Sequence, residues 1–210
     1  MDKLRLKFSK TGRAVYISHL DLMRTMQRVF SRAGVGLKYS EGFNPHAKIS
    51  IILPLPVGMH SQCEYLDFAL AGDCDLETLP ARLNPFMPEG IEALEAYEAP
   101  EKGAALCWLA IEGRLVDGRD AAFYRDFFAQ SSILVNHRSK RGERVDDIAP
   151  SIQKAEFTDA PDGVHARVVV HAQNPTLSPD TMMAALCENA PKYYTFTRME
   201  AFREDMTPFR

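Results

Sequence analysis

The first residues of the chain alternate between apolar and charged side chains, which is typical of a strand with one buried face. This strand is expected over residues 4–10, and a helical spacing of apolar positions follows. The predicted helix buries Leu22, Met23, Met26, Val29, Phe30 and Ala33. Ser18 with Asp21 three residues later predicts its N-cap, and Gly34 suits a left-handed residue at its end. The chain therefore begins with a strand and an amphipathic helix.

Shorter apolar runs, separated by proline and glycine, continue the first half. They predict two strands, a short helix and a further strand, over residues 49–53, 64–70, 75–87 and 90–99 respectively. The resulting order is βαββαβ, which is the ferredoxin-like arrangement.

The second half repeats the order of elements without repeating the residues. Its expected strands cover 107–116, 132–137, 166–172 and 193–202, and its expected helices cover 119–130 and 178–188. A linker is expected over 100–104. We therefore predict an α+β protein of two tandem ferredoxin-like units, over 1–100 and 104–210. The alternative is one continuous antiparallel sheet with helices on one face.

Charge is distributed unevenly around a net value of −3. Residues 1–50 hold ten lysines and arginines against three aspartates and glutamates, whereas residues 51–101 hold one against ten. Such segregation indicates a basic surface that meets an anionic partner. The alternative is that the two segments fold against each other and neutralise one another.

The composition predicts a cytoplasmic protein without a membrane span. No apolar run approaches the roughly 20 residues that a spanning helix needs, and the charged start does not have the pattern of a secretory signal. The four cysteines form no CxxC pair, so we expect neither zinc nor an iron–sulfur cluster in this chain.

The exposed face of the first predicted helix carries Arg24, Arg28 and Arg32 at four-residue spacing. A row of arginines can contact successive phosphates of a nucleic acid, although a solvated helix face has the same pattern. The N-terminal end of this helix, with Ser18, His19 and Asp21, is expected to offer backbone N–H groups to a phosphate.

A second candidate lies in "YSEGFNPHAKIS", residues 39–50. Its turn-forming residues are Gly42, Asn44 and Pro45. They would expose Phe43 for stacking on a base, and His46 and Lys48 for contact with an anion. The alternative places Phe43 in the core. A further basic run over 136–144 contains Arg138, Lys140 and Arg141, which complete the predicted RNA-binding residues.

The pattern SHLD, GFNPH and SxxEY over residues 18–65 resembles the radical-SAM-associated (radical-SAM-linked) domain family, a bacterial family of unknown function. The matching residues are Ser18, His19, Leu20, Asp21, Arg24, Gly42, Phe43, Asn44, Pro45, His46, Lys48, Pro54, Leu55, Gly58, Ser61 and Glu64. The resemblance implies an accessory role beside a radical SAM protein supplied in trans. The iron–sulfur cluster and S-adenosylmethionine would belong to that partner, because this chain has no CxxxCxxC.

We therefore expect an accessory protein that presents an RNA, such as tRNA or rRNA, to a radical SAM enzyme. One alternative is a metal-independent endoribonuclease with His19 or His46 as catalytic residue, because tandem ferredoxin-like units resemble the CRISPR-repeat nucleases. Those enzymes carry a glycine-rich loop near the C-terminus, whereas the last glycine here is Gly163. The other alternative is a protein–protein adapter whose acidic 64–101 segment docks the partner.

Overall fold

The computed structural model describes residues 4–139 and 142–210, with residues 137–139 and 143 described by their backbone only. The chain divides into two compact units between Ala105 and Leu106, and the last residue, Arg210, belongs to the first unit. Each unit combines two helices with a four-stranded antiparallel sheet. The predicted α+β class is confirmed.

The first unit has its elements in the order βαββαβ. They are β1 (Leu4–Lys10), α1 (His19–Arg32), β2 (Ile49–Ile52), β3 (His60–Phe68), α2 (Leu79–Leu83) and β4 (Ile91–Glu98). The strands lie in the order β4-β1-β3-β2, and every neighbouring pair is antiparallel. This succession is the ferredoxin-like arrangement.

The core of the first unit lies between α1 and one face of the sheet. Strand β1 contributes Leu6 and Phe8, which lie two residues apart and therefore on the same face. Helix α1 contributes Met26 and Phe30, which are four residues apart and therefore also share a face. The rings of Phe30 and Phe68 lie 5.1 Å apart between centroids.

The opposite face of β1 buries a charge that the alternating pattern would place in solvent. The Arg5 side chain is fully buried, and its Nε lies 2.7 Å from Asp67 Oδ1. Its Nη1 and Nη2 donate to main-chain oxygens of Arg210 and Glu101, at 2.6 and 3.0 Å. Pairing and hydrogen bonding are what make burial of this guanidinium tolerable.

The acidic 51–101 segment neutralises the basic segment in the interior of the sheet. Asp67 pairs with Arg5, and the negative charge of Glu64 acts on Lys10. The segment also places carboxylates on the surface of the first unit, at Asp73, Asp75, Glu77, Glu89, Glu92, Glu95 and Glu98. The two segments therefore neutralise each other where their charges are buried. The carboxylates on the surface are not part of this neutralisation.

The second unit repeats the arrangement and adds a hairpin. Its elements are β5 (Trp108–Val116), α3 (Ala121–Phe128), β6 (Leu134–Ser139), β7 (Gly142–Asp147), β8 (Ile152–Ala160), β9 (Gly163–His171), α4 (Pro179–Ala184) and β10 (Tyr193–Phe202). The sheet order is β10-β5-β9-β8, again antiparallel throughout. Strands β6 and β7 pair only with each other among the described residues, and they lie between α3 and β8 in the chain.

The hairpin and β8 are the main differences from the predicted elements. The expected strand over 132–137 is β6, but its partner is β7, which was predicted as a polar connection. The strand that completes the sheet is β8, which was not predicted. Of its nine residues only Phe157 is buried, because β8 is an edge strand with a largely polar surface. The alternation that reveals half-buried strands is therefore missing from its sequence.

The helices are short in both units. The longest described helix is α1, with 14 residues, and none in the described part of the chain is long and apolar enough to cross a membrane.

Candidate nucleic-acid interface

The N-terminal end of α1 is capped by its own side chains. Ser18 Oγ accepts a hydrogen bond from the Asp21 backbone N–H at 3.2 Å and donates to Asp21 Oδ2 at 2.8 Å. Arg24 lies 3.1 Å from the other carboxylate oxygen of Asp21. The hydrogen bond from Ser18, followed by that from Arg24, lowers the pKa of the Asp21 carboxyl.

This cap engages one of the backbone N–H groups at the start of α1 that the sequence predicts to be offered to a phosphate. The Asp21 N–H is bonded to Ser18, and the ionised Asp21 carboxylate already interacts favourably with the helix dipole. A phosphate at this end would meet a negative charge. Ser18 and Asp21 therefore cap the helix, and the arginine row begins one turn later, at Arg24.

The predicted arginine row lies along the exposed face of α1. Arg24, Arg28 and Arg32 are all exposed. Arg24 forms the ion pair with Asp21, whereas Arg28 and Arg32 form no ion pair with any residue that the structure describes. Two adjacent guanidinium groups on this helix are thus available to an anionic ligand.

A shallow groove of about 530 Å³ joins the arginine row to a tyrosine of the following loop. All three arginines line it, and Tyr39 forms its other wall with 55% of its surface exposed. A second groove of about 330 Å³ lies on the other side of Arg28 and Arg32 and includes Phe86. The Arg32 guanidinium carbon lies 5.4 Å from the centroid of the Phe86 ring, which is a cation–π distance.

The loop over residues 38–48 is a hairpin held by main-chain hydrogen bonds. The Lys48 N–H donates to the Lys38 carbonyl at 2.7 Å, and the Ser40 N–H donates to the His46 carbonyl at 2.8 Å. Ser40 Oγ accepts from the His46 N–H at 2.9 Å. Residues 41–45 therefore form the tip, where Gly42 adopts a φ of +120° that favours glycine.

Phe43 lies at this tip with its side chain fully exposed, at 112% relative accessibility. The alternative that Phe43 fills the core is therefore wrong. Asn44, Pro45, His46 and Lys48 are exposed as well. The tip presents an uncovered aromatic ring next to polar and cationic side chains.

The structure brings some of the predicted residues together and separates others. The three arginines line one groove, whereas Ser18 and His19 lie at the beginning of α1 and Gly42, Phe43 and Asn44 lie at the loop tip. Arg138 belongs to the second unit, where its backbone lies in β6. Lys140 and Arg141 lie outside the described residues.

Neither candidate catalytic histidine is held by a partner in the part of the chain that the structure describes. His19 is the first residue of α1 and His46 follows the loop tip, and both are exposed. No described hydrogen bond involves either ring, whereas a catalytic base is normally oriented by a third group. No group of three or more His, Cys, Asp or Glu residues in the described ranges could hold a metal ion.

The sequence did not reveal the buried polar side chain that holds the main chain before α1. The Lys10 side chain is buried, and its Nζ donates to the carbonyl oxygens of Val15 and Ile17, at 3.3 and 2.8 Å. Burial lowers the pKa of Lys10, and the charge of Glu64 opposes this effect. Because these carbonyls lie immediately before Ser18, Lys10 fixes the chain that leads into α1.

A family model described as an uncharacterized protein conserved in bacteria (DUF2344) matches residues 3–179. The chain belongs to this family. The match covers the first unit and the second unit as far as the start of α4. The DUF2344 description confirms the predicted membership of a bacterial family of unknown function, and the link to radical SAM enzymes stays a prediction. Among curated proteins, a sequence search finds no match.

Proposed function

We propose that this protein is an accessory RNA-binding module that presents an RNA to a modifying enzyme. The single observation that carries the proposal is the pair of exposed arginines, Arg28 and Arg32, which lack an ion-pair partner among the described residues and line two grooves. Cations in such an arrangement favour a polyanion, because each phosphate contact releases condensed counterions.

Other arginines support this interpretation by contrast. Ion pairs engage Arg5, Arg24, Arg114, Arg119, Arg144, Arg167 and Arg210. Arg28 and Arg32 are exposed without an ion-pair partner among the described residues, which gives this part of α1 a local excess of positive charge. The 38–48 loop adds Lys38 and Lys48 at its base and the exposed ring of Phe43 at its tip. Phosphate contacts and base stacking are thus both available in the first unit.

The proposed partner is a radical SAM enzyme acting in trans, and the proposed RNA is a tRNA or rRNA. The resemblance of the SHLD and GFNPH segments supports this choice of partner. The iron–sulfur cluster and S-adenosylmethionine would be bound by the enzyme, and this chain would supply affinity for the RNA.

The test is a comparison of two double variants in an RNA-binding titration over a range of salt concentrations. Arg28→Ala with Arg32→Ala should weaken binding of bulk bacterial tRNA or rRNA. It should also reduce the slope of log affinity against log salt by roughly two, one for each lost phosphate contact.

The matched control is Arg114→Ala with Arg167→Ala, which removes the same charge from the second unit. Both arginines are exposed but engaged, with Asp162 at 3.0 Å and Glu112 at 3.4 Å respectively. We expect the control to retain the parent slope. Equal losses in the two variants, or no RNA binding by the parent, would reject the proposal.

A protein–protein adapter is the second candidate, and the exposed carboxylates of the first unit favour it. Asp73, Glu77, Glu89 and Glu92 are all exposed, and charged groups that meet opposite charges across an interface contribute to partner choice and association rate. Because this adapter would not bind nucleic acid, the parent chain should show no RNA affinity, and charge reversal at Glu89 and Glu92 should abolish co-purification with the partner enzyme.

A further inference from the structure

The two grooves beside α1 share their cations and differ in their aromatic walls. Arg28 and Arg32 line both grooves. Tyr39 borders the groove on the side of the 38–48 loop, and Phe86 borders the groove on the side of the connection between α2 and β4. The arginine row therefore has an aromatic ring on each side.

From this arrangement we infer that the site takes unpaired RNA, with bases stacked in the two grooves, and not a double helix. This inference rests on the proposed function. A duplex offers a protein mainly its phosphates, sugars and groove edges, because its bases are stacked on each other. Arginines alone would serve such a ligand, and flanking aromatic rings would have no base to contact.

The spacing along α1 suits a single strand. Residues four apart on a helix are separated by about 6 Å along its axis. Arg28 and Arg32 can therefore contact neighbouring phosphates of an extended strand, while the attached bases turn to either side of the helix.

The chemistry of each groove fits a flat heterocycle. Tyr39 offers an exposed ring on a main chain that is held by the bridge to Ala47. In the other groove Arg32 lies over Phe86, and Met87 also lines the wall. Bases stack on aromatic rings and on arginine guanidinium planes alike. Each groove therefore has a surface on which one base can stack.

The experiment uses the full chain and three fluorescent probes that differ in their bases. The probes are a mixed-sequence RNA of 12 nucleotides, the same strand annealed to its complement, and the same strand with abasic positions at its centre. The abasic strand keeps every phosphate and removes the stacking partners. We expect the intact single strand to bind about a hundredfold more tightly than the other two, about tenfold for each of the two stacked bases.

Two variants assign that preference to the grooves. Tyr39→Leu and Phe86→Leu should each reduce the preference for the intact strand about tenfold and leave the salt slope unchanged, because each removes one stacking surface and stacking releases no counterions. Tyr193→Leu, an exposed tyrosine of β10, is the control and should behave as the parent. Thermal melting checks the fold of Phe86→Leu, and Tyr39→Leu tests an exposed position that contributes little to the core.

The outcomes separate this inference from the proposed function. Equal affinity for all three probes, lost on replacement of Arg28 and Arg32, would overturn the inference and leave the protein an RNA-binding module. A preference for the intact strand that survives both Tyr39→Leu and Phe86→Leu would overturn the assignment to these grooves. Failure of the parent to bind any probe would overturn the inference and the proposed function together.

Discussion

The two units share one succession of elements and differ in what their cations contact. In the first unit Arg28 and Arg32 are exposed along α1 and have no described ion-pair partner. The second unit has a groove of about 710 Å³ on its sheet, but the cations there are neutralised: Arg114 pairs with Asp162 at 3.0 Å. The larger groove is therefore the electrostatically balanced one, whereas the smaller groove beside α1 carries cations without an ion-pair partner among the described residues.

The second-unit groove shows how alternation along a strand produces a balanced surface. Glu112 and Arg114 alternate along β5 with the buried Ile111, and they therefore lie on the face of the sheet away from it. Arg167, on the neighbouring β9, lies in register with Glu112 and forms an ion pair with it. Opposite charges that face each other across strands stabilise the sheet and leave little net attraction for an anion.

The largest expected effect compares a buried and an exposed carboxylate. Asp67→Ala would remove the carboxylate that pairs with the buried Arg5 and should lower the free energy of unfolding by about 3–5 kcal/mol. Asp162→Ala removes an exposed carboxylate of the second unit, and we expect little change in stability. Urea unfolding followed by circular dichroism measures both. Similar midpoints for the two variants would show that burial does not distinguish these pairs.

The next effect concerns the loop tip of the first unit. Phe43→Ala should weaken RNA binding by about 1–3 kcal/mol without changing the salt slope, because the ring offers stacking and no charge. The melting temperature should stay at the parent value, since Phe43 is exposed. Tyr193→Ala in the second unit is the control. A fall in melting temperature with unchanged RNA binding would assign Phe43 a structural role.

A smaller expected effect is on the pH dependence of local stability, which should differ between the β6–β7 hairpin and the 38–48 loop. Hydrogen bonds from the backbone N–H groups of Ile133 and Ala149 lower the pKa of Asp147, at the base of the β6–β7 hairpin. Its stabilisation is therefore complete above the ordinary aspartate pKa of about 4 and is lost as pH falls through the lower folded value. In the first unit the 38–48 loop is held by the hydroxyl of Ser40, which does not titrate in this range.

Hydrogen exchange measured between neutral pH and pH 3, corrected for intrinsic rates, checks this difference. Protection at Ile133 should fall with decreasing pH, and protection at His46 should not. In Asp147→Asn the protection at Ile133 should be lower at neutral pH and nearly independent of pH. Parallel loss at both positions would point to unfolding of the whole chain.

For RNA cleavage we expect no effect of either histidine substitution. The purified chain should not cleave RNA, and His19→Ala and His46→Ala should therefore leave an RNA substrate as intact as the parent does. Gel analysis of a labelled tRNA after prolonged incubation measures this. Cleavage by the parent that disappears in either variant would favour the ribonuclease alternative.

Much of the first unit follows from local pattern. The apolar period of α1, its Ser18 cap and the glycine after its end are all found where the sequence predicts them, and Gly34 adopts a φ of +67°. Strand β10 covers the predicted residues, 193–202. These features depend on residues within one or two turns of each other, so the sequence alone determines them. The arginine row of α1 follows from the same periodicity.

The tertiary structure decided which charges are buried and which rings flank the cations. Arg5 meets Asp67 across a separation of 62 residues, and no local pattern distinguishes it from the exposed lysines and arginines nearby. Strand β8 was missed because its place at the sheet edge leaves it little apolar surface to bury. Tyr39 and Phe86 lie in the connections that precede β2 and β4, which pair with β3 and β1, and no local pattern places either ring beside the arginines. Strand pairing brings together residues that are far apart in the chain. The hydrophobic periodicity of a single segment does not show which strand that segment will pair with.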